Sequence, residues 1–225
     1  MISKSVLYGL VVVSGLAVGL NLGLLLGPGR PAAPPSSAGS VAPVAPPGNP
    51  DVNAQAPTWH GLWQASAALL STVRQTDVVN NAGHSVPVPL HRPVVFVAPF
   101  CPWCFRAERL LIRAGLLSRV QLVGIDLTGG ESAGPDLPGG IPARTVTDAA
   151  QARAAFRADW RLYGARRRRG RTLRSTAGLL YALPGNPLNQ AVPSFPTFLI
   201  PHASHWYVEV GYNPSVSLWK TVLGA

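Results

Sequence analysis

Pro93-Val94-Val95-Phe96-Val97-Ala98-Pro99-Phe100-Cys101-Pro102-Trp103-Cys104 carries an apolar run straight into the chain's only two cysteines, set two residues apart. A short β-branched run of this kind reads as a buried strand. The next stretch, Phe105 to Ser118, places Phe105, Leu110, Leu111, Ala114 and Leu117 among Arg106, Glu108, Arg109 and Arg113, the spacing of an amphipathic helix. The cysteines therefore fall at a strand-to-helix junction. There the unpaired N–H groups of the first helical turn and the positive end of the macrodipole favour a thiolate over a thiol. Cys101 is expected to be the exposed, low-pKa nucleophile. Cys104, one turn further in, is expected to be the shielded thiol that resolves a mixed disulfide. Pro102 suits the first helical turn, where its missing N–H goes unused and its φ is already helical.

Two other readings of the pair stand beside this one. Half of a zinc site has the same spacing, but four-coordinate zinc needs a second pair of ligands, which only histidines would supply here. A purely structural disulfide is the other, although so tight a loop at a helix start constrains little of the unfolded chain.

The 225 residues leave room for a short anchor and one domain of ordinary size, and the 47% hydrophobic content suits such a domain with an added apolar segment. That segment is Val6 to Leu26, which carries no charge and at the helical rise reaches about 30 Å, the thickness of a bilayer core. A cleaved signal peptide is the competing reading, but its apolar core runs only about 7 to 15 residues and ends at a small-x-small site. Here Gly27-Pro28-Gly29-Arg30 follows instead, which favours an uncleaved anchor. The expected organisation is an N-terminal stub over 1–5, a transmembrane anchor over 6–27, a Pro/Ala-rich tether over 28–57 and a folded domain over 58–225. Lys4 before the span and Arg30 after it give a slight bias for the N-terminus inside. The cysteine usage agrees with an extracytoplasmic domain. The expected location is thus the cell (inner) membrane, crossed once, with the domain on the periplasmic or extracellular side. Gly15, Gly19 and Gly23 form a small-xxx-small face that would pair two spans in a homodimer. Glycine is common in membrane helices whether or not they pair.

Within the domain, Thr58 is expected to cap a helix with Trp59, Leu62, Trp63, Leu69, Leu70 and Val73 on one face. Asp77-Val78-Val79-Asn80 and Ser85-Val86-Pro87-Val88 flank Asn81-Ala82-Gly83-His84 as a β-hairpin. Val120 to Leu127 reads as a strand too apolar for an exposed edge. After the Gly/Pro-rich loop Thr128 to Pro142, a helical insertion is expected at about 143–190. In it Thr147 caps a helix with Ala149, Ala152, Phe156, Trp160 and Tyr163 on one face, and a second helix covers Leu173 to Leu183. Trp206 to Tyr212 reads as the last strand, and Asn213-Pro214 caps a final helix carrying Leu218, Trp219, Val222 and Leu223.

Arg166-Arg167-Arg168-Arg169-Gly170-Arg171 supplies half of the net charge of +10. No aromatic interleaves this run and a domain outside the membrane meets little nucleic acid, so nucleic acid is not an expected partner. A solvated loop fits better, or a contact with anionic headgroups at about 1 kcal/mol per basic residue.

Two separated stretches also carry a resemblance. Arg92 to Cys104 looks like the first strand and active site of thioredoxin-fold thiol-disulfide oxidoreductases. Val192-Pro193-Ser194-Phe195-Pro196-Thr197-Phe198-Leu199-Ile200 is similar to that family's strand that opens with a cis-proline packed against the redox cysteines. With the Gly211-Tyr212-Asn213-Pro214 ending and the long segment between the two motifs, residues 76 to 225 most resemble the catalytic domains of bacterial periplasmic Dsb-type disulfide isomerases and oxidoreductases. The resemblance implies an α/β, thioredoxin-like fold with a helical insertion, here preceded by a single N-terminal transmembrane helix. It implies Cys101 as attacking thiol, Cys104 as resolving thiol and Pro196 as cis. Pro102, Trp103, Phe195 and Pro196 would meet the substrate, with the Phe195 backbone offered to an extended strand. Protein thiols or disulfides and a redox partner are the implied partners, without cofactor or metal.

The chain departs from the family in two places. Val95 stands where many relatives bury an acid as proton acceptor, and Phe195 replaces the usual Thr or Val before the cis-proline. Glu108, one turn along the helix, is the nearest acid in sequence to Cys104, and a surface ion pair with Arg109 or Arg113 is expected of it instead. His202 and His205 would complete a Cys2His2 or copper-chaperone site. If Pro196 lies beside the cysteines, however, a strand carries His202 about 20 Å away, into a hairpin turn. The expected function is that of a membrane-anchored extracytoplasmic thiol-disulfide oxidoreductase. The alternative is a non-catalytic thioredoxin-like binding or metallochaperone module.

Overall fold

Val94-Val95-Phe96-Val97 forms a strand buried along its whole length, as a run with no polar face must be. The structure, a computed structural model, describes residues 59–132, 139–165, 178–192 and 194–224. The expected anchor and tether, Thr58 and the Arg166–Arg171 run lie outside the described residues. Among those described, no helix is long and apolar enough to cross a membrane.

The strands in chain order are β1 (Trp63–Gln64), β2 (Asp77–Val79), β3 (Ser85–Pro87), β4 (Val94–Val97), β5 (Gln121–Gly124), β6 (Leu180–Tyr181), β7 (Thr197–His202) and β8 (His205–Val210). They form one sheet in the order β1-β8-β7-β4-β5-β6-β2-β3. β4 runs parallel to β5 and antiparallel to β7, with Val95 opposite Leu122 on one side and Phe198 on the other. β5 and β6 are again parallel. A parallel pair needs a crossover connection, and α2 (Pro102–Arg113) supplies the one between β4 and β5. α3 (Ala149–Ala165) lies between β5 and β6 in the chain.

Alternation along the strands sorts the core into two layers. Val95, Val97, Leu122 and Phe198 pack with α2, α3 and α5 (Val216–Val222) on one face. Val94, Phe96, Val123 and Leu199 pack with α1 (Ala67–Gln75) and α4 (Leu188–Ala191) on the other. The result is a mixed α/β sheet with helices on both faces. α3 presses close on β5, where a Cβ on Gly124 would stand 2.6 Å from the Phe156 ring.

Several elements stand as the sequence predicts. The β2–β3 hairpin forms, β5 lies inside the sheet, and Ala149, Ala152, Phe156, Trp160 and Tyr163 of α3 are all buried. Other elements differ. The helix expected from Thr58 is broken by His60 and Gly61, whose φ values of 50° and 85° lie in the left-handed region. Trp63 and Gln64 pair with β8 instead, and α1 starts only at Ala67, where the Ser66 hydroxyl accepts the Leu69 N–H at 3.1 Å. The second insertion helix is replaced, where described, by β6. The run Leu179 to Ala182 is short and apolar, and it satisfies its backbone by pairing beside β5. The caps also move by one or two residues. Asp148 rather than Thr147 receives the Gln151 N–H, at 2.8 Å, and Ser215 rather than Asn213 receives the Leu218 N–H, at 3.2 Å.

Candidate active site

Cys101 is the N-cap of α2, in extended backbone, with Pro102 in the first helical turn. Its sulfur accepts the Cys104 N–H at 3.3 Å, one of the donors that a helix start leaves unpaired. The Phe195 carbonyl lies 3.7 Å from the same sulfur and accepts the Cys101 S–H when the thiol is protonated. Phe195–Pro196 is a cis peptide bond at the entry to β7. The two separated stretches of sequence thus meet at one sulfur atom.

Both thiols are free. A hydrogen bond with the Cys104 side chain, aided by the Cys104 and Trp103 N–H groups, holds the Cys101 thiol below its ordinary pKa. Burial and the Glu131 charge oppose that shift without reversing it. Burial pushes the Cys104 thiol well above its ordinary value, and the interaction with Cys101 adds to this. The two thiols are therefore held unequal, Cys101 toward the thiolate and Cys104 toward the protonated form. The expected open exposure of Cys101 is corrected, because the residue is only 6% exposed, against 0% for Cys104. Helix capping draws the sulfur inward onto the N–H groups that stabilise it, leaving a small exposed edge.

The residues around that edge are aromatic. Trp103 is 48% exposed, stacks on Tyr212 with centroids 6.0 Å apart, and carries the Arg106 guanidinium 4.3 Å above its ring. On the other side the half-buried Phe100 and Phe195 meet edge to face at 6.1 Å. Pro102 is half-buried and Pro196 is buried beneath them.

Glu108 overturns its expectation. It is 1% exposed, neither carboxylate oxygen has a hydrogen-bond partner, and burial pushes its pKa up to about 8. No surface ion pair forms. The reason lies in helical geometry: Cys104, Glu108 and Leu111 fall at i, i+4 and i+7, on the stripe of α2 that faces the sheet. Its charge is among those that raise the Cys104 pKa, so acid and thiol sense each other. Val95 is buried and apolar.

Two further residues were not singled out from the sequence. The Tyr163 hydroxyl sits between the Phe100 carbonyl and the Glu131 carboxylate, either of which accepts its proton. Burial and that neighbouring charge push the phenol above its ordinary range. Glu131 comes from a loop held against residues 141–143, where a Cβ on Gly130 would lie 2.5 Å from the Ala143 backbone nitrogen. Tyr163 was legible as core. Nothing in a Gly/Pro-rich loop marked Glu131.

His202 and His205 face each other at the β7–β8 turn, and His202 stacks on Trp59 at 4.2 Å. Among the described residues no group of three or more His, Cys, Asp or Glu is placed to hold a metal ion.

No protein-family model matches the chain, and comparison with curated proteins returned no match. Among solved structures the chain is similar to a thioredoxin-like protein from Aeropyrum pernix, at 16% sequence identity over 70% of this chain and 92% of that one, with a TM-score of 0.39.

Proposed function

We propose that the chain is a membrane-anchored, extracytoplasmic thiol-disulfide oxidoreductase acting on protein disulfides or dithiols through Cys101 and Cys104. The observation that carries this reading is the unequal preparation of two neighbouring thiols. Cys101 caps α2 within 3.3 Å of the Cys104 N–H, while Cys104 is sealed in the core beside an unpartnered carboxyl. In the reducing direction the Cys101 thiolate attacks one substrate sulfur. A Cys101–substrate bond forms as the substrate disulfide breaks, and the leaving thiolate takes a proton from water. Cys104 then passes its proton to Glu108 and attacks the Cys101 sulfur, expelling the second substrate thiolate. The substrate gains two electrons and the protein is left with a Cys101–Cys104 disulfide, which a dithiol redox partner reduces. Run backwards, the same steps oxidise a substrate dithiol. Pro102, Trp103, Phe195 and Pro196 frame an extended substrate segment at the exposed edge of the sulfur. The uncharged run over Val6–Leu26 supports the anchor.

Insulin reduction and dithiol oxidation, assayed on the full chain, test the reading. Turnover is expected in at least one direction, with Cys101→Ser abolishing it and Cys104→Ser trapping a mixed disulfide on Cys101. A folded wild-type chain inactive in both directions would replace the enzyme by a binding or metallochaperone module.

A further inference from the structure

A groove of about 520 Å³ runs along α2, lined on its sides by Tyr163 and by Tyr212, Pro214 and Val216 at the start of α5. Its volume lies in the range of built ligand sites. Pro102, next to Cys101, lines one end, so the groove is continuous with the candidate active site. Arg106, Arg109 and Arg113 line its length, and among the described lining residues these are all the charged ones. At i, i+3 and i+7 they share one helix face. Guanidinium groups match carboxylates in a planar, two-pronged geometry. Two lie over aromatic rings, Arg106 at 4.3 Å from the Trp103 centroid and Arg109 at 5.5 Å from that of Phe105.

We infer that this groove receives an acidic segment of the polypeptide whose cysteine exchanges with Cys101, so that the preferred substrates carry Asp or Glu close to the reacting cysteine. The inference rests on the redox reading above. Helix and strand rises set the register. Arg106 to Arg113 spans about 10 Å of helix, which an extended chain covers in about three residues. Cys101 to Arg106 spans about 7 Å, or about two residues of extended chain. The acidic residues therefore belong about two to six positions from the substrate cysteine. Charge complementarity favours a polypeptide over an uncharged ligand, and continuity with Cys101 favours the substrate itself over an unrelated partner.

The test uses the full reduced chain and three synthetic peptides, each holding one cysteine as a mixed disulfide with a chromogenic thiol. They carry Glu, Ser or Lys at the positions two to six residues from the cysteine. At low salt the Glu peptide is expected to exceed the Ser peptide in kcat/KM by at least about tenfold, with the Lys peptide below both. That preference is expected to collapse when ionic strength rises from about 0.01 M to about 1 M. The ratio inverts in Arg109→Glu/Arg113→Glu. Arg113→Gln, at an exposed position, gives an intermediate ratio. Equal rates for the Glu and Ser peptides, both being turned over, overturn the inference and leave the redox reading intact. Failure to exchange any peptide or a small chromogenic disulfide overturns both. Equal peptide rates with retention on anionic vesicles, lost in the double variant, would assign the groove to a lipid surface instead.

Discussion

Glu108 on α2 and Asp159 on α3 are two carboxyls on the same side of the sheet, each 1% exposed, and the protein treats them in opposite ways. Burial raises the Asp159 pKa, and the Arg144 guanidinium, which meets one of its two carboxylate oxygens, offsets part of that rise. Glu108 has no partner on either oxygen and burial moves it to about 8. A buried charge with a partner is ordinary architecture. A buried carboxyl without one costs stability, and the group beside Glu108 is the thiol of Cys104.

The largest effect separating the two acids is on stability. Arg144→Met leaves Asp159 buried and unpaired, and unfolding by denaturant is expected to show a loss of about 3 kcal/mol. That is the low end for such a pair, because the Arg144 side chain keeps 25% of its surface exposed. Asp159→Asn is expected to cost less, since it removes the charge that Arg144 neutralises. Equal stability of Arg144→Met and wild type would make Asp159 no better served than Glu108 and dissolve the contrast.

This contrast also marks where the sequence could be read and where it could not. The two motifs around Cys101 and Pro196, the strand that delivers the cysteines and the buried stripe of α3 follow from local pattern alone, because periodicity and burial agree there. Glu108 was legible in principle, since it shares the i, i+4, i+7 stripe with Cys104 and Leu111. Its charge argued for the surface, and the charge was the wrong guide. Asp159 and Arg144, and Tyr163 with Glu131, are paired only by the way the segment after β5 folds back over α2. No spacing in the chain announces a contact set by tertiary structure. The break at His60-Gly61 was missed for a simpler reason, since apolar spacing says nothing of a left-handed φ in the middle of it.

The second effect is on rate. With Glu108 as proton acceptor, resolution of the mixed disulfide speeds up as pH rises through about 8, where the carboxyl loses its own proton. Glu108→Gln removes the acceptor, so resolution waits for Cys104 to ionise unaided, which burial defers to higher pH. Near neutral pH the variant is expected to resolve about a hundredfold more slowly and to accumulate mixed disulfide, visible by mass spectrometry after acid quench. Stability moves the other way. A carboxyl whose folded pKa is raised favours the folded state below its unfolded pKa near 4.3 and loses that advantage as pH climbs to about 8. The variant should therefore lose this part of the decline with pH and be the more stable protein at and above that value. Asp159→Asn serves as the comparison, expected to change stability without accumulating mixed disulfide. Accumulation in both variants, or in neither, would remove the special role of Glu108.

Glu131 sharpens the comparison with the smallest effect, because it is a third acid that is neither sealed nor ion-paired. It is half-buried, hydrogen-bonded by Tyr163, and its charge disfavours the Cys101 thiolate. Removing the charge in Glu131→Gln should lower the Cys101 pKa, by less than about one unit for a partly solvated neighbour. The reduced form gains what the thiolate gains, so the reduction potential rises, by less than about 30 mV for that shift in a two-electron couple. Thiolate absorbance in the ultraviolet against pH gives the first quantity and equilibration with glutathione the second. A Cys101 pKa that moves upward instead would mean that Glu131 acts through the Tyr163 and Phe100 hydrogen bonds rather than through its charge. Its place would then be with Asp159 among the acids that hold the fold, leaving Glu108 alone with the chemistry.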